Sequence, residues 1–122
     1  MNPDFSIAVI VTHYNRVDMC LRCLKSISSQ TQPPAQVILV DDASNESIAE
    51  LRVYCEERGW SVIQNKQNMF VGYCRQTALA RVTASHVVFI DDDDWFYSDA
   101  LAHFQEKIED NPSEPHSFCL DV

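Results

Sequence analysis

The stretch Val87-Val88-Phe89-Ile90-Asp91-Asp92-Asp93-Asp94 decides the reading of this chain. Four apolar residues of strand-forming type run straight into four aspartates. A short continuous apolar run bounded by polar residues reads as a strand buried on both faces. The acids therefore sit where that strand leaves the core. Adjacent carboxylates repel: at ~4 Å and an effective dielectric of ~20, two unit charges cost on the order of 4 kcal/mol. A divalent cation offsets that repulsion. Oxygen ligands without a neighbouring His or Cys point to Mg²⁺, Mn²⁺ or Ca²⁺ rather than zinc. The competing reading is a solvated acidic loop.

Outward from that stretch, strands and helices alternate. Phe5 to Val11, Val37 to Val40 and Trp60 to Gln64 read as further strands. Val17 to Ser29 carries helical apolar spacing and is broken by Gln32-Pro33-Pro34. Helices are also predicted over Ser47 to Arg58, Val71 to Val82 and Ser98 to Glu109, with Ser44 or Asn45 and then Ser98 as caps. This order implies right-handed βαβ units and a parallel sheet between helix layers, a three-layer α/β/α sandwich. In such sheets ligands bind beyond the carboxyl ends of the strands. Thr12, His13, Tyr14 and Asn15 follow the first strand, Asp41, Asp42 and Ser44 the second, and the four aspartates the last. All three loops should share one edge, which favours a ligand site over a solvated loop.

The chain has 122 residues, enough for one domain with a core and too few for two. Residues 1–110 are assigned to that domain and 111–122 to a tail. With 46% hydrophobic and 22% charged residues, the composition is that of a globular protein and argues against disorder. A net charge of -9 without a basic patch argues against nucleic acid as a partner. No apolar run is long enough to span a membrane, and no secretory signal is evident, so a cytoplasmic location is expected. Five cysteines fit reduced thiols. Cys20 and Cys23 form a CxxC inside an apolar helical pattern and are read as core packing. His13 is expected to be solvent-exposed and without a role, and Trp95 and Phe96 to be packing residues.

Three enzyme or switch classes place aspartates after a buried strand. In a phosphorylation receiver the acidic pair follows the first strand, whereas Asp41-Asp42 follows the second. An aspartate-nucleophile phosphatase needs a DxDx(T/V) motif, which Trp95 spoils. The third class is a nucleotide-sugar transferase. Val9 to Arg16 (VIVTHYNR), Cys23-Leu24 through Gln30-Thr31, Val37 to Ser44 (VILVDDAS), Asn68 to Leu79 and Val88 to Asp94 together resemble the family 2 glycosyltransferases.

That resemblance implies the GT-A fold, with a Rossmann-like nucleotide half, here truncated. It implies transfer of a sugar from a nucleotide donor, commonly a UDP-sugar, to a saccharide or glycoconjugate acceptor in polysaccharide biosynthesis, with Mn²⁺ or Mg²⁺. By the same resemblance Thr12 and Tyr14 shape the base pocket, Asp42 accepts a hydrogen bond from the base, and Arg75 helps hold the nucleotide. Asp91-x-Asp93-Asp94 corresponds to the family's DxD motif: Asp93 near the ribose and metal, Asp94 on the metal, Asp91 supporting. The departures are Thr12 for Pro, His13 for Thr, Gln76 for Asn, and a Gly-rich stretch reduced to Gly72. The family's acceptor half and general base have no counterpart here, so the chain is expected to be a fragment or a natural truncation, and its rival role is a silent nucleotide-binding module. The exposed edge of the last strand is expected to be covered by Ser117 to Val122 or by self-association.

Overall fold

A computed structural model describes residues 5–111. The elements are β1 (Ile7–His13), α1 (Val17–Ser28), β2 (Gln36–Asp41), α2 (Ala49–Glu57), β3 (Ser61–Gln64), α3 (Phe70–Leu79), β4 (His86–Asp91) and α4 (Ala100–Asp110). The sheet has the order β3-β2-β1-β4, and every pairing is parallel. No helix among the described residues is long and apolar enough to cross a membrane.

Strand alternation builds the layers. Ile7, Val9 and Val11 of β1 pack with Cys20, Leu24 and Ile27 of α1, Leu51 of α2, and Leu101, Phe104 and Ile108 of α4. Ile10 faces the other way, with Ile38, Val40 and Ile63, under Cys74 and Ala78 of α3. The result is the expected α/β/α sandwich, with α3 on one face and α1, α2 and α4 on the other. Cys20, Cys23, Cys55 and Cys74 are buried free thiols. Burial, aided by nearby carboxylates, pushes the Cys23 thiol up to about 12. Such a thiol stays protonated, which agrees with core packing for the CxxC.

The strand order also separates two of the classes considered. From β2 back to β1 and then across to β4 the order reverses, so the switch point lies between β1 and β4. A receiver domain instead has β1 beside the third strand. The topology therefore removes the receiver alternative.

Three local expectations are corrected. Neither Ser44 nor Asn45 caps α2: the Ser44 hydroxyl donates to Asp41 and accepts from the Asn15 amide, and Ser47 Oγ accepts from Ala49 N. Nor does Ser98 cap α4. Buried Gln30 does that work, its Oε1 accepting from Leu101 N at 3.0 Å while its Nε2 donates to the Tyr97 and Ser26 carbonyls. α3 stops at Leu79 rather than Val82, because Gln36 of β2 seizes the following turn. Its Oε1 accepts from Thr83 N and its Nε2 donates to the Arg81 carbonyl. The tail expected to cover β4 lies outside the described residues.

Candidate functional site

β1 runs two residues further than the sequence suggests, so Thr12 and His13 are strand residues and not loop residues. The register places His13 beside Asp41 and Thr12 beside Asp91. Backbone bonds continue the sheet past its formal ends: Asp42 N donates to the His13 carbonyl and Asp92 N to the Thr12 carbonyl. The three polar loops are thereby locked to one edge. They border a cleft of about 730 Å³, lined among others by Thr12, Tyr14, Asp42, Arg75, Asp91 and Asp93. All six residues expected to hold a nucleotide line the same cleft. Asp94 does not line it.

Asp42 closes one end. Its Oδ1 accepts from Met69 N at 2.8 Å and Asn65 Nδ2 at 3.0 Å, and its Oδ2 accepts from Phe70 N at 2.9 Å. Asp42 thus caps the N-terminus of α3 from another loop. Burial alone would raise its pKa, but the donors from Met69, Asn65 and Phe70 outweigh that and hold the carboxyl below its ordinary value. Asp41 is fully buried and tied to the Ser44 amide and hydroxyl.

The acidic run at the other end divides where β4 gives way to a turn, in which Asp94 N donates to the Asp91 carbonyl. Asp92 turns inward and is buried. Its Oδ2 accepts from Tyr14 N at 3.0 Å and lies 3.1 Å from His13 Nδ1, which donates in this geometry. His13 is likewise buried, with its Nε2 3.8 Å from Asp41 Oδ1. The expectation of an exposed His13 without a role is therefore overturned: the ring stands between the acidic loops of β2 and β4. Asp92 carried no assignment beforehand. Strand alternation does not reach it, because Asp92 lies in the turn after β4.

Asp91, Asp93 and Asp94 remain as a group in which each offers one carboxylate oxygen, these three lying within 4.8 Å of one another. Partial burial, then the charges of Asp93, Asp91 and Asp92, push the Asp94 carboxyl above its ordinary value. Two arginines flank the group. Arg16 Nη1 reaches Asp93 Oδ2 at 2.8 Å, and Arg75 Nη2 lies 3.6 Å from Asp91 Oδ1. The Arg75 guanidinium also stands over the Phe89 ring at 5.0 Å, and its Nε is buried without a hydrogen-bond partner among the described residues. Thr12 Oγ1 donates to Asp91 Oδ1 at 3.2 Å. The donor set suits a hard divalent cation: three carboxylates, mutual repulsion to relieve, and no thiol or imidazole in the group.

Phe96 is buried in the core as expected, but Trp95 is 51% exposed, with the Arg22 guanidinium 4.1 Å over its ring. Trp95 is thus a surface aromatic and not a core one.

Comparison with known proteins agrees with this geometry. Residues 8–114 match the sequence model of Glycosyl transferase family 2. An uncharacterized glycosyltransferase of Rickettsia conorii is 28% identical over 108 residues, which are 88% of this chain and 18% of that protein. The glycosyltransferase GlyA of Streptococcus pneumoniae is 30% identical over 109 residues, 88% of this chain and 16% of its own length. The chain thus spans less than a fifth of these curated relatives. Among solved structures, S. aureus TarS 1-349 in complex with UDP-GlcNAc superimposes with a TM-score of 0.78 at 26% identity, over 88% of this chain and 32% of that one. Mannosyltransferase PcManGT from Pyrobaculum calidifontis, in complex with GDP-Man and Mn²⁺, gives 0.79 at 25% identity, over 87% and 33%. A GT-A-like sheet, a cleft at its switch point and a family match across nearly all of the sequence have one reading: the chain belongs to glycosyl transferase family 2.

Proposed function

We propose that this chain forms the donor-binding part of a metal-dependent glycosyltransferase that uses a nucleotide-diphosphate sugar, most simply a UDP-sugar. One observation carries the reading: the Asp91, Asp93 and Asp94 carboxylates converge beside a cleft that gathers Thr12, Tyr14, Asp42 and Arg75. The TarS complexes with UDP and UDP-GlcNAc support a uridine donor, and the GDP-Man complex of PcManGT keeps a guanosine donor as the comparison.

In this reading Tyr14 presents its ring to the base. Asp42 accepts the base's N–H, and it stays ionised for that role because backbone amides already stabilise its charge. Arg75 directs its cation at the diphosphate, drawn from its 3.6 Å contact with Asp91. Asp93 serves the ribose and, together with Asp94, holds Mn²⁺ or Mg²⁺, with Asp91 in support. A cation held there would stabilise charge developing on the diphosphate leaving group. The acceptor, a saccharide or glycoconjugate, and the polysaccharide it would enter belong to the activity of the whole protein.

Calorimetric titration of UDP with and without Mn²⁺, with GDP as the control, tests the proposal. UDP-selective binding that Mn²⁺ strengthens is the expected result. Absence of binding by both nucleotides would overturn it.

A further inference from the structure

Two aromatic side chains of this cleft share an unusual arrangement. Tyr14 and Phe70 come from different segments, the end of β1 and the start of α3, and line the same cavity. The backbone of each is pinned by a buried carboxylate: Tyr14 N donates to Asp92, Phe70 N to Asp42. Their rings, by contrast, are open to solvent, with Tyr14 41% and Phe70 76% exposed.

Phe70 is the more anomalous of the two. Its φ is +68°, in the left-handed region that a bulky side chain avoids. Exposing a phenyl ring to water is unfavourable as well. Nothing in the core gains from either feature, because the ring is outside both hydrophobic clusters. Strained backbone of this kind persists where surrounding bonds over-determine it, and it concentrates at ligand sites. Here the over-determining bonds are identified: the two oxygens of Asp42 hold Met69 N and Phe70 N.

We propose that Phe70 is a base-stacking residue of the donor site, a second aromatic surface besides Tyr14 against which the planar base of a nucleoside diphosphate packs. This rests on the donor-site reading above and names a residue that the sequence did not single out. The ligand supplies the apolar cover that the ring lacks, and Asp42 sets both the hydrogen bond to the base and the position of the ring. The preset backbone leaves only side-chain freedom to be lost on binding, which favours affinity.

The test separates binding from stability, because the two should move in different directions. In Phe70→Gly the backbone strain is relieved, so the melting temperature stays level or rises by a few degrees. UDP affinity, measured by calorimetry with Mn²⁺ present, should fall by about tenfold, the scale of one base–aromatic stack. Phe70→Tyr should keep the affinity of the unaltered chain. Unchanged UDP affinity in Phe70→Gly, or a loss that accompanies a lower melting temperature, would overturn the proposal. Failure of the unaltered chain to bind UDP or GDP would instead remove the donor-site reading itself.

Discussion

Two acidic loops leave neighbouring parts of one sheet at the same edge, yet the protein treats them in opposite ways. Asp41 and Asp42, after β2, are buried and held by protein donors: the Ser44 amide and hydroxyl for one, Met69 N, Phe70 N and Asn65 Nδ2 for the other, which leaves one lone pair of Asp42 Oδ2 open. Asp91, Asp93 and Asp94, at the end of β4, converge within 4.8 Å with mainly each other and two arginine side chains for company. Asp92 alone in that run is treated like the β2 acids. Charge count does not distinguish an acid fixed by protein donors from one left for a cation. The supply of donors does, because a buried carboxylate with amide partners is stabilised and a cluster without them is repelled.

The contrast breaks most severely at Asp42. Asp42→Ala leaves the Met69 and Phe70 amides without their acceptor, and unfolding free energy should fall by on the order of 3 kcal/mol. UDP binding should weaken with or without metal. The sign with pH follows from the lowered pKa. A depressed folded-state pKa contributes stability above the unfolded value of about 3.9, and that contribution is lost as pH falls through the lower folded value. The difference between the unaltered chain and Asp42→Ala should therefore be flat from neutral pH to about 5 and close in strong acid. Denaturant unfolding across that range measures it. A gap that instead opens below about pH 5 would show that Asp42 is not held ionised by these amides.

Asp94→Asn is the opposite case. Its carboxyl is pushed up by partial burial and by its acidic neighbours, so removing the charge relieves repulsion. Stability should hold or rise slightly, while Mn²⁺ enhancement of UDP binding is lost. Loss of a direct ligand should match or exceed the roughly 10–100-fold effect typical of residues that only support a ligand. A matching drop in stability would make the two loops alike and end the comparison.

Asp92→Asn tests the member that crosses from one class to the other. It weakens the bonds to His13 Nδ1, Tyr14 N and Arg16, and should cost about 1–2 kcal/mol of stability. The Tyr14 amide resonance should move with it, since that N–H points at the lost charge. A Tyr14 resonance that stays in place would detach Asp92 from the Tyr14 loop.

Much of this was legible beforehand. The apolar runs ending at Val40 and Ile90 fixed a parallel sheet, and the loops after them had to meet at one edge. What escaped were effects that act across the fold. Gln30 caps α4 from 71 residues away, and Gln36 bonds a turn 47 residues on, so propensity near Ser98 or Val82 held no trace of either. His13 escaped because β1 ends two residues later than its apolar run, which turns a loop residue into an inward strand residue. Phe70 escaped because a left-handed backbone is expected at glycine and not at phenylalanine. Asp92 escaped because β4 ends at Asp91, and the turn that follows aims its carboxylate at His13 and Tyr14.

The smallest effect should come from Arg16, which bridges the two classes by touching Asp92 Oδ1 at 3.4 Å and Asp93 Oδ2 at 2.8 Å. Its side chain is half exposed, and pairs of that kind contribute about 0–1 kcal/mol after screening and side-chain ordering. Arg16→Gln should therefore change stability by less than about 1 kcal/mol. Its effect on the cation should have the reverse sign. Arg16 occupies an oxygen of Asp93 that the proposed metal needs, so its removal raises the negative potential of the cluster and frees a ligand. Mn²⁺ affinity measured in the absence of nucleotide should rise, and the rise should shrink with added salt, because an exposed cation's field is screened over about 8 Å at physiological ionic strength. A fall in Mn²⁺ affinity would mean that Arg16 orients Asp93 for the metal rather than competing with it, and would move Asp93 from the ligand-facing group to the structural one.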